Sequence, residues 1–170
     1  MSGIRQNFDE TSSTGLNAVT THVLNASYFY LELACYFDRD DVALENVQKY
    51  FHELSEDKKK LADLLLTYQN ARGGRTRFEK IAKPELEAEG LSIVDAFAAA
   101  IKVETHLNKL YADLHEVAEK ANDAHFDDFI EDHLLGTEVE ILKKLGDKHT
   151  LARKAGEGLG EFVFNSELED

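Results

Sequence analysis

The run from Ala26 to Leu44 constrains the fold of this chain more than any other stretch. With Val23 just before it, Ala26, Tyr30, Ala34 and Phe37 recur at helical spacing, so one helix face is apolar except for the Tyr30 hydroxyl. The charged corner Asp38-Arg-Asp-Asp41 ends that helix and offers a short Asp as cap for the next. A long helix turning sharply into a second long helix is half of a four-helix bundle.

The rest of the chain supplies the other half. Residues 1–11 are polar and read as extended, and Thr11-Ser-Ser-Thr14 offers N-caps for a first helix ending near Phe37. A second helix is expected from about Asp41 to Arg72. Tyr50, Phe51, Leu54, Leu61, Leu64, Leu65 and Tyr68 face inward, and Lys49, Glu53, Glu56, Lys60 and Asp63 face solvent. Gly73-Gly74 stops it. A connection of roughly 17 residues comes next, uncommonly long for a bundle, and it contains the only proline, Pro84. Such a length fits a chain that must travel the whole bundle before its third helix begins.

That third helix spans about Ser92 to Ala121, with Val94, Phe97, Ala98, Ile101, Leu107, Leu110, Leu114 and Val117 inward. Asn122-Asp123 breaks and caps. A fourth helix then runs to about Ala155, burying Phe126, Phe129, Ile130, Leu134, Ile141, Leu142 and Leu145. After the glycine-spaced 156–160 stretch comes a short apolar segment, Glu161 to Leu168. Helices of about 28 residues are each roughly 40 Å long. The reading is all-α and one domain over residues 1–170. It is an up-down-down-up four-helix bundle with a long crossover between helices 2 and 3 and a short fifth C-terminal helix.

Composition narrows function by exclusion. A formal charge of −14 argues against nucleic acid and anionic membrane surfaces and fits a protein that attracts cations. No 18-residue apolar run exists to span a membrane. Residues 1–9 lack a secretory apolar core, and the single Cys35 permits no internal disulfide, which suits the reducing cytoplasm. Asn25-Ala-Ser27 matches a glycosylation sequon but sits mid-helix.

Polar residues that interrupt the apolar stripes carry the chemistry. Glu104 lies between Ile101 and Leu107, Glu138 between Leu134 and Ile141, and both carboxyl groups point inward with Tyr30. Buried carboxyls need a partner charge, which a metal or a protein cation can supply. Asp57-Lys58 sits at the matching height on the second helix, so Lys58 can pair with both acids directly. A di-iron bundle site of the usual pattern needs a Glu-x-x-His pair, and none of the seven histidines has Glu three residues before it.

Tyr36-Phe-Asp-Arg-Asp-Asp-Val-Ala-Leu44, Tyr68-Gln-Asn-Ala-Arg-Gly-Gly-Arg75, Lys83-Pro84, Asp128-Phe-Ile-Glu131, Leu145-Gly-Asp147 and Arg5-Gln-Asn-Phe8 resemble the eukaryotic ferritin subunit, in unbroken order over nearly the whole chain. The resemblance implies a ferritin-like bundle and a hollow shell of 24 subunits that stores ferric mineral, with Fe2+ in transit, Fe3+ as mineral and no organic cofactor. The family's ferroxidase ligands fall at positions 23, 57, 58, 61 and 104, supported by 30 and 138. This sequence keeps Tyr30, Asp57 and Glu104, but Val23 replaces a glutamate, Lys58 the bridging glutamate and Leu61 a histidine. Glu138 stands where heavy-type subunits have glutamine. Lys58 looks like the lysine that fills this site with a salt bridge in ferritin light chains. The resemblance thus implies a light-chain-like subunit with little or no ferroxidase activity of its own, co-assembled with heavy-type subunits.

His115, Asp128 and Glu131 match the family's threefold iron-entry channel, and Asp127 adds an acid beside them. Glu53, Glu56 and Asp57 align with carboxylates that nucleate mineral on the cavity wall of light-type subunits; Asp63 is an addition to them, and Lys58, Lys59 and Lys60 interleave. Hard carboxylate oxygens suit ferric iron. His22, His52, His106, His125, His133 and His149 read as surface or helix-interface residues. The chain departs from vertebrate subunits in a shorter connection after Gly156 and in its Glu167-Leu-Glu-Asp170 ending. Two other readings stand beside the storage role: a weak ferroxidase using Tyr30, Asp57, Glu104 and Glu138, and a ferritin-derived stress or chaperone shell that no longer handles iron.

Overall fold

The computed structural model describes residues 2–168; Met1 and the last two residues of the Glu167–Asp170 ending lie outside the described residues. Four long rods make the bundle: α1 (Glu10–Phe37), α2 (Glu45–Ala71), α3 (Ile93–Lys120), and a fourth made of α4 (Ala124–Ile130), a π turn (Glu131–Leu135) and α5 (Gly136–Ala155). The short α6 (Leu159–Glu167) closes the chain. α1 packs on α2 and α3, and α3 packs on α5.

The helix ends are cut by specific polar groups. α1 begins earlier than expected because Asp9, and not the Thr11–Thr14 cluster, caps it: its Oδ1 accepts the Ser12 N–H at 2.7 Å. Ser12 and Ser13 are instead buried, and the Ser13 hydroxyl donates to Gln69 Oε1 at 2.9 Å. The charged corner ends α1 at Asp38 as expected, yet no aspartate caps α2. Arg39 engages Asp41 and the crossover residue Glu89, and α2 starts only after Leu44, which has no capping side chain. The missing acceptor comes from the far end of the chain. Asn165 of α6 takes the Asn46 and Val47 N–H groups on its Oδ1 at 3.0 and 3.1 Å. A sharp turn brings α6 there: Gly156 and Gly158 both have positive φ, and an added Cβ at Gly160 would collide with the Ala155 carbonyl.

The crossover runs along α1 without regular structure, held by side chains of that helix. Asn17 Nδ2 donates to the Arg75 carbonyl and its Oδ1 accepts the Arg77 N–H. Asn25, the sequon asparagine, accepts the Ala82 N–H at 3.0 Å. At the other end Asp123 does two jobs: it caps α4 through the Phe126 N–H and receives Arg72 Nη2 from the end of α2 at 2.7 Å.

The core is two apolar clusters. One contains Phe8, Leu16, Val23, Ala62, Leu65, Leu107, Leu114, Phe126 and Leu134. The other contains Tyr30, Phe37, Phe51, Phe97, Ala100, Leu145 and Phe164. Along each rod the two are separated at the level of Lys58, Glu104 and Glu138. Of the apolar residues expected inside, Leu64 is exposed, and α3 turns Ile93, Ala96, Ala100 and Tyr111 fully inward while Val94, Ala98, Ile101, Leu110 and Val117 sit half-buried.

Candidate metal sites

Lys58, Glu104 and Glu138 meet in the middle of the bundle with essentially no solvent exposure. The Lys58 ammonium donates to Glu104 Oε2 at 2.7 Å and lies 3.9 Å from Glu138 Oε2. The Tyr30 hydroxyl donates to the other Glu104 oxygen at 2.6 Å. Glu104 is therefore satisfied on both oxygens. Glu138 is not: its Oε1 is buried with no hydrogen-bond partner. Burial, and then the neighbouring Glu104 charge, push the Glu138 carboxyl well above the usual carboxylate range, although Lys58 pulls the other way. One ammonium beside two carboxyl groups is balanced when Glu138 keeps its proton.

The residues around this layer matter as much. Val23 is fully buried and Leu61 half-buried, so neither offers a donor atom. Asp57, one residue before Lys58, points outward to Lys60 at 3.5 Å. Helical spacing places Tyr30, Glu104 and Glu138 in one cluster with Lys58, and the structure brings those four together; it does not bring Asp57 into it. Tyr111 is a member of this neighbourhood that the stripes alone do not single out. It lies one heptad beyond Glu104 on the same face, fully buried, its hydroxyl without a partner and its acidity suppressed by burial and by Glu138. That seven-residue spacing is the signal that could find it.

A second cluster forms where α3 approaches the start of the fourth rod. His115 Nε2 lies 2.8 Å from Asp127 Oδ1 and 3.1 Å from Glu131 Oε1. The three residues present ligand atoms all within 4.8 Å of one another, the one such group among the described residues. Asp128 is exposed and outside it, so within one subunit the added acid Asp127, and not Asp128, faces His115. The π turn sets the relative directions of Glu131 and Glu138 on this rod. Seven residues is almost two turns of α-helix, so Glu131 and Glu138 would otherwise share a face. One wide turn, closed by the Gly136 N–H on the Glu131 carbonyl, shifts the phase. Glu131 then looks out toward His115, and Glu138 looks in toward Lys58.

The acids of α2 stand apart from both. Glu53, Glu56, Asp57 and Asp63 are all exposed along one side of the helix. Glu53 and Asp57 border a cavity of about 480 Å³ between α2 and α5, together with Lys144, Asp147 and Lys148.

A family model described as "Ferritin-like domain" matches residues 14–155. The chain belongs to the ferritin family. Among curated ferritins it is 46% identical over 166 residues to the ferritin light chain of Bos taurus, covering 96% of this chain and 94% of that one. The ferritin light chain of Pongo abelii is 44% identical with the same coverage. A ferritin heavy chain from Echinococcus granulosus is 41% identical over 167 residues, covering 98% and 96%. Both of these light chains match at higher identity than this heavy chain, and the fold is the ferritin bundle with its crossover and short last helix. No helix among the described residues is long and apolar enough to cross a membrane.

Proposed function

We propose that this ferritin subunit is a storage and shell-forming chain of the light type, which holds ferric mineral and does little ferrous oxidation itself. The observation that carries this reading is the Lys58 ammonium seated 2.7 Å from Glu104 and 3.9 Å from Glu138. A fixed positive charge stands where two ferrous ions would have to bind, and like-charge repulsion in a buried site opposes them strongly. Val23 and Leu61 remove the ligands that could compensate. The weak-ferroxidase alternative has no further support: Asp57 faces away from the cluster, and Glu138 favours its protonated form.

Iron enters this reading as cargo. His115, Asp127 and Glu131 form an acidic, half-exposed set suited to passing a hard divalent cation, and threefold repetition would focus their field, with Asp128 contributing toward the axis. Glu53, Glu56, Asp57 and Asp63 would meet ferric ions inside the shell. The exposed apolar residues support assembly into 24 subunits. Tyr28, Leu31, Leu64, Phe78 and Ile81 are large apolar side chains left exposed, as are Leu159, Phe162 and Val163 of α6, more apolar surface than an isolated subunit needs. Heavy-type subunits in the same shell would supply the oxidation step.

The deciding experiment is the initial rate of aerobic ferrous oxidation by the assembled homopolymer at two irons per subunit, followed by ferric absorbance. A rate near that of iron in buffer is expected. A fast, saturable rate would overturn the assignment. Sedimentation at the mass of 24 subunits, and loading with iron when mixed with heavy-type subunits, are the expected companions; a shell that takes up no iron even then would favour the stress-shell reading.

A further inference from the structure

The α1/α3 side of the bundle carries a feature that iron storage does not use. A cavity of about 440 Å³ lies between these helices and the crossover, bordered by His22, Asn25, Phe29, Lys102 and His106 and by residues 82–85. Asn25 holds the crossover against it by accepting the Ala82 N–H. His22 from α1 and His106 from α3 face each other there, with ring centroids 5.4 Å apart and planes at 70°. Neither imidazole has a hydrogen-bond or ion-pair partner among the described residues, so the ring nitrogens are uncommitted.

Two imidazoles that share one tetrahedral ion, at nitrogen–metal distances of about 2.0–2.1 Å, have centroids roughly 5 Å apart. The observed pair already has that spacing. We propose that His22 and His106 together bind one borderline divalent transition-metal ion, Cu2+ more tightly than Zn2+, through one ring nitrogen each. The preference follows from the general affinity order for nitrogen donors. Water completes the coordination shell, because the remaining neighbours are not arranged as ligands: Asn25 is engaged by the crossover backbone, and Glu85 is the single carboxylate among the lining residues.

Charge and protonation are compatible with a cation here. Lys83 and Lys102 at the exposed rim oppose it, while Glu85 and the net charge of −14 favour it. Burial, and then the nearness of His106, lower the His22 pKa, so that imidazole is neutral and ready to donate at neutral pH. The two ligands sit on different helices, α1 and α3, and line one cavity with residues 82–85. Binding would therefore tie α1 to α3 beneath residues 82–85.

The test is a Cu2+ titration of the assembled protein at neutral pH, read by electron paramagnetic resonance. A two-nitrogen hyperfine signal from one Cu2+ per subunit is expected, beside a one-nitrogen signal from Cu2+ at the His115 cluster that His115→Ala removes. His22→Ala and His106→Ala should each abolish the two-nitrogen signal and weaken that site at least about tenfold, with His115→Ala leaving it intact. His22→Gln and His106→Gln repeat the test should either alanine variant fail to assemble. Absence of a two-nitrogen signal in the parent, or a two-nitrogen signal that survives both substitutions, would show that the rings merely pack edge to face and would overturn the proposal.

Discussion

The Lys58 ammonium lies 2.7 Å from one oxygen of Glu104, while Tyr30 holds the other oxygen at 2.6 Å. Three side chains from three helices thus close a pair that has no access to water. Removing one partner of such a pair strands a charge, which costs about 3–5 kcal/mol. Lys58→Met should lower the thermal midpoint strongly, and Lys58→Met/Glu104→Gln should recover most of the loss. Unfolding followed by circular dichroism checks both; a single variant as stable as the parent would mean the pair contributes nothing.

Glu138 makes stability depend on pH. Its folded pKa is raised by burial and by Glu104 above the ordinary 4.5, so the folded chain keeps a proton that the unfolded chain releases. That contribution is fully present below the ordinary value and is lost as pH rises through the raised one. Glu138→Gln keeps the shape and removes the titration. The stability of the parent relative to this variant should fall steadily from mildly acidic to alkaline pH. A flat difference would show that Glu138 is ionised in the folded state.

Rebuilding the ligands should restore the lost chemistry. Val23→Glu/Lys58→Glu/Leu61→His returns two carboxylates and an imidazole to the middle of the bundle. Metal-centred catalysis supplies several kcal/mol, so the initial rate of ferrous oxidation should rise by at least about a hundredfold. Stopped-flow ferric absorbance measures it, with Val23→Glu/Leu61→His, which retains the ammonium, expected to stay slow.

The His115 cluster should bind a hard cation through charge. Asp127→Asn/Glu131→Gln leaves the packing but removes two carboxylates from a group whose ligand atoms lie within 4.8 Å of one another. Co2+ affinity, read from its visible absorption in the assembled shell, should fall at least about tenfold at low salt and by less at high salt.

Asn165 ties the last helix to the second. Asn165→Ala removes the acceptor for two N–H groups at the start of α2, a loss of about 1 kcal/mol by analogy with a local cap. Hydrogen exchange at Asn46 and Val47 should quicken, and exchange across α6 should quicken with it.

Most of the fold is legible one residue at a time, because helical burial is periodic and the interruptions are chemical. The four rods, the Gly73-Gly74 stop and the Asn122-Asp123 break each depend on near neighbours, so pattern alone locates them. The packed α3 is nevertheless rotated enough to bury Ile93, Ala96, Ala100 and Tyr111 in place of Val94, Ala98 and Ile101. The same logic places Tyr30, Lys58, Glu104 and Glu138 in one buried layer, since a polar residue on an apolar stripe has nowhere else to point. What escapes is what two distant segments decide jointly. Asp41 is a reasonable cap for α2 until α6 brings Asn165 to that helix end. Asp128 matches the expected channel set, yet it is Asp127 that meets His115, a choice made by the angle at which α4 docks on α3. The π turn has no local signature strong enough to read, but it alone lets Glu131 face outward and Glu138 inward. His22 and His106 are separated by most of the first three helices and become neighbours only because α1 packs against α3. Periodicity is a property of one helix, and the sequence determines it; contact between helices depends on their relative rotation and height, which only the packed core sets.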